Sequence, residues 1–220
     1  MVIKVIEIGY YHNKKYSLQI IGGATGSGKT EILHLLKEKG HQIIDLEGIA
    51  HHKGSAFGSL GQLPQPSTES FENELAWQLS QFDESKPVWI ENESRLIGNC
   101  YLPDAFWNQM LHAPIFQIDV PLNVRIERLL IEYGHFDVAE LTQRTEILRK
   151  KLGGQHANYA VEMLSQGNLQ EWLSTLLVYY DKTYQYGSEK NAHRSVSMPF
   201  DWNDVNDSIN QLLNQYEFRK

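Results

Sequence analysis

Residues 17–30 read Ser17-Leu18-Gln19-Ile20-Ile21-Gly22-Gly23-Ala24-Thr25-Gly26-Ser27-Gly28-Lys29-Thr30. An apolar run enters a glycine-rich loop that closes on Gly28-Lys29-Thr30, and Ile32, Leu33, Leu35 and Leu36 follow at helical spacing. The pattern is G-x-x-x-x-G-K-T between a strand and a helix, the phosphate-cradling P-loop. Gly23, Gly26 and Gly28 open backbone conformations closed to residues with a Cβ, so that several N–H groups, with Ser27 among them, face one concavity. The following helix adds unpaired N–H groups and the positive end of its dipole. Lys29 supplies a mobile charge for the terminal phosphates, and the Thr30 hydroxyl is placed to ligate Mg²⁺. The motif implies a phosphate or diphosphate chain as ligand and leaves its owner open.

Outward from this loop, strands are expected near 17–22, 41–45, 87–91, 114–120 and 194–198. The spacing of apolar residues predicts helices over 29–39, 69–82, 103–112, 121–133, 137–152, 155–165, 168–180 and 202–217. Strand–helix alternation predicts an α/β protein, a P-loop NTPase fold with a kinase-like parallel sheet and helices on both faces. The stretch 121–185 is expected as a helical, lid-like insertion carrying Arg125, Arg128, Arg144 and Arg149. Residues 1–16 read as an N-terminal extension with a short strand, because Lys4 and Glu7 interrupt its apolar run, and 17–220 as the P-loop domain. Segment 54–70 reads as a long loop of the kind that carries function.

A chain of 220 residues with 41% hydrophobic and 21% charged content suits a globular protein with one core. No run reaches transmembrane length. One cysteine, Cys100, excludes an internal disulfide framework, fits a cytoplasmic setting and reads as a packing residue. The net charge of −7 lacks the basic excess of a general nucleic-acid binder. Local basic clusters remain, among them Arg144 with Arg149-Lys150-Lys151.

Ligands of open parallel sheets sit beyond the carboxyl ends of the strands, where Asp45, Glu91 and Asp119 are expected. Glu91, ending an apolar strand, is the candidate to position a metal, with Glu93 and Arg95 just beyond. Asp45 and Glu47 lead into His51, His52, Lys53 and Ser55, a polar group suited to proton transfer or substrate contact. No cysteine cluster accompanies the paired histidines, so a zinc site is not expected.

Together the P-loop, Asp45-Leu46-Glu47-Gly48-Ile49-Ala50-His51-His52-Lys53-Gly54-Ser55, Glu91-Asn92-Glu93-Ser94-Arg95-Leu96-Ile97-Gly98, Asp119-Val120-Pro121 and Lys151-Leu152-Gly153-Gly154 carry a resemblance. They resemble the P-loop half of the tRNA 2-selenouridine synthases, over about residues 21–185. The resemblance implies modification of the wobble 2-thiouridine of tRNA, by selenation through an S-geranylated intermediate. It implies ATP, GTP or geranyl diphosphate on the P-loop, with Mg²⁺. The family's rhodanese domain is not matched, which implies either a separate rhodanese-type protein as partner or another task for the P-loop half. Lys53 stands where the family carries arginine, which keeps the charge and loses the bidentate fork.

The roles that follow are Lys29, Asp45, Glu91 and His51 in catalysis; Gly23, Gly26, Ser27, Gly28, Lys29 and Thr30 on phosphates; and Thr30 and Glu91 on Mg²⁺. Substrate contacts are assigned to Glu47, His52, Lys53, Ser55, Glu93, Arg95, Arg125 and Arg128. Two other classes fit the same residues: a small-molecule kinase or nucleotide hydrolase, and a non-catalytic nucleotide-dependent scaffold.

Overall fold

The structure, a computed structural model, describes residues 14–219. The strand expected within residues 1–8 lies outside the described residues. The strands are β1 (Leu18–Gly23), β2 (Gln42–Ile44), β3 (Val88–Glu91), β4 (Leu96–Ile97), β5 (Cys100–Tyr101), β6 (Ile115–Asp119) and β7 (Ser195–Pro199). The helices up to β6 are α1 (Lys29–Glu38), α2 (Leu46–Ala50), α3 (Thr68–Ser80) and α4 (Asp104–His112). Beyond it come α5 (Leu122–Tyr133), α6 (Val138–Ile147), α7 (Arg149–Leu152), α8 (Gly154–Ser165), α9 (Leu169–Lys190) and α10 (Val205–Arg219). The chain divides into two compact units, one of residues 1–22, 29–118 and 194–220, the other of residues 23–28 and 119–193.

The first unit is the α/β body. Its five-stranded sheet runs β2-β3-β1-β6-β7, and β3 pairs in parallel with both β1 and β2. Alternation along the strands builds both faces. Leu18, Ile20, Val88 and Ile90 join Phe71, Leu75 and Leu79 of α3 and Phe106 and Met110 of α4 in one buried cluster. Trp89, one residue out of phase, meets Phe116 with ring centroids 5.2 Å apart and Tyr216 of α10 at 5.4 Å. Helices therefore pack on both faces, as the alternation predicts. The β1–β3 register sets Glu91 opposite Ile21, at the end of the strand that runs into the glycine-rich loop.

The second unit is helical. Trp172 of α9 is fully buried. Its indole N–H donates to the Thr145 hydroxyl at 3.0 Å, and that hydroxyl donates to the Leu141 carbonyl at 2.8 Å. The helix expected over 137–152 is divided at Leu148, between α6 and α7. The one expected over 168–180 runs on to Lys190. Its apolar pattern fades after Val178, and the extra turns carry Asp181 and the half-buried Tyr184 rather than a hydrophobic stripe. The α2 turn and the two-stranded β4–β5 hairpin are new elements, each too short for a periodic signal.

Candidate functional site

Between β1 and α1 lies the glycine-rich loop. Gly26 and Gly28 both take φ +83, the left-handed region where only glycine rests without strain. Gly23 instead closes β1 as an ordinary strand residue, so two of the three expected glycines carry the turn. Ser27 N–H donates to the Ala24 carbonyl at 3.0 Å. The Ser27 side chain is fully buried and its hydroxyl has no partner among the described residues.

In the α/β body the acidic residues gather around Thr30. The Thr30 hydroxyl donates to Glu47 Oε2 at 3.1 Å. The Glu47 N–H donates to Glu91 Oε1 at 2.8 Å. Glu91 is fully buried and its Oε2 has no partner among the described residues. Burial, then the charges of Asp45 and Glu47, push the Glu91 carboxyl well above the usual range. Glu93 is pushed up to about 8 by burial and by Glu47, to which it is hydrogen-bonded. Burial also raises Glu47, while Lys29 pulls it back. At neutral pH these acids hold protons in common and carry less negative charge than their number suggests. Gly54, at φ +64, presses on the pair: a Cβ there would lie 2.6 Å from Glu93 Oε2 and 3.0 Å from Glu47 Oε1.

Asp45 caps α2, accepting from Gly48 N–H at 2.6 Å, and accepts from His34 Nε2 at 2.9 Å. His51 ends that helix at φ 50, a strained conformation for a residue with a Cβ. Its Nδ1 lies 2.9 Å from the Pro64 carbonyl, which can only accept. The neutral ring therefore carries its proton on Nδ1 and presents Nε2 as the base. His34, Asp45, Gly48, His51, Ser70 and Glu74 line a cleft of about 490 Å³, within the size range of small-molecule sites.

The expected residues thus fall into separate groups. Lys29, Thr30, Glu47, Glu91 and Glu93 form the acidic corner, and Asp45 and His51 line the cleft. His52 packs beside Gly58, where a Cβ would meet its ring at 2.8 Å. Ser55 is turned inward, its Oγ accepting from Phe57 N–H at 3.1 Å. Lys53 is exposed, and Arg95 pairs with Asp104 at the start of α4. In the helical unit Arg125 is engaged by the protein itself. Its guanidinium is bidentate to Asp181, at 2.8 and 2.7 Å, and also donates to the Thr25 carbonyl at 3.0 Å. Both terminal nitrogens thus have partners within the helical unit. Arg128, one turn along α5, is half-buried. Asp119 ends β6, and its charge helps hold the Tyr184 hydroxyl protonated, pushed up to about 12 chiefly by burial. Cys100 is buried and its thiol is raised by burial, the behaviour of a packing cysteine.

Two residues of consequence carry no local signal. Gln65 donates to the Ala50 and Ile97 carbonyls at 2.9 and 3.1 Å and accepts from Asn99 N–H at 2.9 Å, stitching the 51–66 loop to the β4–β5 hairpin. Asp181 lies 56 residues from the arginine it holds. Among the described residues no group of three or more His, Cys, Asp or Glu side chains is arranged to hold a metal ion. No helix among them is long and apolar enough to cross a membrane.

Residues 16–146 match the family described as the tRNA 2-selenouridine synthase AAA domain. The chain belongs to that family. The tRNA 2-selenouridine synthase of Shewanella halifaxensis is 38% identical over 208 residues, 80% of this chain and 56% of that protein. That of Nitrosomonas europaea is 41% identical over 119 residues, 53% of this chain and 30% of that protein. The chain therefore spans about half the length of the curated synthases it matches. A gluconokinase from Sinorhizobium meliloti is similar at 14% identity and a TM-score of 0.39, over 94% of this chain and 99% of that one. Within the synthase AAA domain match fall the P-loop, the acidic corner, the cleft and Arg125. Asp181, the partner of that arginine, falls beyond it.

Proposed function

We propose that this domain binds a phosphorylated ligand with Mg²⁺ and serves in modifying the wobble 2-thiouridine of tRNA, by selenation or geranylation. The ligand is a nucleoside triphosphate, ATP or GTP, or geranyl diphosphate. The observation that carries the reading is the acidic corner at the loop. A carboxyl with an unpartnered, buried oxygen ends the strand beside β1, and the P-loop threonine is bonded to the neighbouring glutamate. Such a group is costly until a cation or proton relieves it.

The donors present fit Mg²⁺, which takes oxygen ligands and leaves much of its shell to phosphates and water. Thr30 and Glu91 would hold it, with Glu47 orienting the Thr30 hydroxyl. When bound, it neutralises phosphate charge and eases departure of a diphosphate or phosphate. Lys29 lowers the acidity cost of Glu47 and Glu93 and neutralises the terminal phosphates. Asp45 and His51 serve the cleft, where His51 Nε2 takes a proton from the bound nucleoside. A rhodanese-type protein in the cytoplasm handles sulfur or selenium alongside it.

The test is titration calorimetry of ATP, GTP and geranyl diphosphate, with and without Mg²⁺, followed by mass analysis of thiolated tRNA incubated with the ligand that binds. Magnesium-dependent binding of one ligand and a modified wobble nucleoside are expected. Turnover of ATP on a small metabolite, with thiolated tRNA untouched, would replace this reading with a kinase.

A further inference from the structure

We propose that Arg125 and Asp181 are a positioning pair for the phosphate-binding loop, through which α9 sets the affinity of that loop for its anion. The inference rests on the P-loop reading above and adds residues that touch no phosphate.

The helical unit grips the loop at two consecutive residues. The Arg125 guanidinium holds the Thr25 carbonyl at 3.0 Å. The Arg125 backbone carbonyl and Leu129 then close on Gly26, where a Cβ would lie 3.0 Å from each. An anion site needs N–H groups turned inward and carbonyls turned away, because a carbonyl oxygen aimed at phosphate repels it. A guanidinium bonded to the Thr25 carbonyl fixes that peptide's orientation. Arg125 can do this only while its own direction is fixed. The fork is planar, and its bidentate bond to Asp181 sets the plane. The guanidinium side chain is 8% exposed, so water cannot take over the role of the aspartate. One turn further on, Tyr184 is half-buried, beside the charges of Asp119, Arg125 and Asp181. The contact chain thus runs from loop to α5 side chain to α9, with each link a directional bond.

A lysine in place of Arg125 keeps the charge against Asp181 but cannot fork to both partners. The full chain and its Arg125→Lys and Asp181→Asn variants are titrated with ATP and with inorganic diphosphate, at a temperature where circular dichroism shows all three folded. Both variants should bind both anions more weakly, on the order of tenfold. The loss should be the same for the two anions, because the loop backbone is what has changed. Folded variants that bind as tightly as the parent overturn the proposal. Should the variants fail to fold, amide exchange on the parent chain decides. Saturating inorganic diphosphate should raise protection in residues 24–28 and also in residues 178–184, and protection confined to the loop overturns the pairing. A parent chain that binds neither anion removes the P-loop reading itself, and the pair's role with it.

Discussion

Glu91 and Arg125 are both buried, and the protein treats them in opposite ways. The Glu91 carboxyl spends one oxygen on the Glu47 N–H and leaves the other without a partner, among three further acids. Burial and its neighbours push it towards the neutral form. Arg125 meets a full counter-charge, two bonds to Asp181 and a third to the Thr25 carbonyl. One site is pushed towards protonation, and in the proposed function a cation would take the protons' place. The other keeps its charge and uses it for geometry. A buried charge with a partner is a fixed strut, whereas a buried acid without one is a place where binding and protonation compete.

The largest effect should come from breaking the strut. Asp181→Ala leaves a guanidinium buried and unpaired, and urea unfolding should show a loss of about 3 kcal/mol. The lower end of the range applies because the Asp181 side chain is 36% exposed. A loss near zero would mean that Arg125 is held by packing alone. Next comes Lys29→Ala, which removes the cation that favours ionised Glu47 and Glu93. Calorimetric affinity for the phosphorylated ligand should drop about tenfold to a hundredfold, the range of one charged hydrogen bond. An unchanged affinity would detach the loop from phosphate binding.

Glu91→Gln sharpens the contrast. The amide keeps an acceptor for the Glu47 N–H and replaces a carboxyl that burial already pushes towards the neutral form, so stability in urea unfolding should change by less than about 1 kcal/mol. The dependence of ligand affinity on Mg²⁺ should vanish, which a titration at varied Mg²⁺ reads directly. The smallest effect is that of pH. Glu93 rises from the ordinary 4.5 to about 8 in the folded chain. Across that window the folded state keeps a proton that the unfolded state has released, so stability falls as pH rises. The melting temperature of the ligand-free chain should decline from about pH 5 to about pH 8, and Glu93→Gln should flatten the decline. A rise with pH would show Glu93 ionised throughout.

Much of this was legible in the sequence because it is local. The strand–glycine–helix succession is contiguous, and the unbroken apolar run Val88-Trp89-Ile90 before Glu91 shows a strand buried on both faces with an acid at its end. The motif that carries Asp45, Glu47 and His51 is contiguous too; Glu47 bonds Thr30, and Asp45 and His51 line the cleft. The sequence could not show that Ser55 turns inward onto Phe57 N–H, since a hydroxyl's partner depends on how its own loop folds. Nor could it show that α9 continues past Val178, because the residues that hold those turns are polar or aromatic and find their partners across the fold.

By itself, then, the sequence determined a phosphate-binding loop on an α/β sheet, with acids at the strand ends. Backbone conformation and burial at short range are dictated by glycine, by β-branched runs and by helical spacing. Only the tertiary structure decided what each buried charge meets. Arg125 and Asp181 are distant in the chain, as are Thr30 and Glu47, and their chemistry depends on which groups burial leaves within hydrogen-bond reach. Arg125 thus meets Asp181 and the Thr25 carbonyl, and Glu47 meets Thr30, in pairings that no local pattern carries.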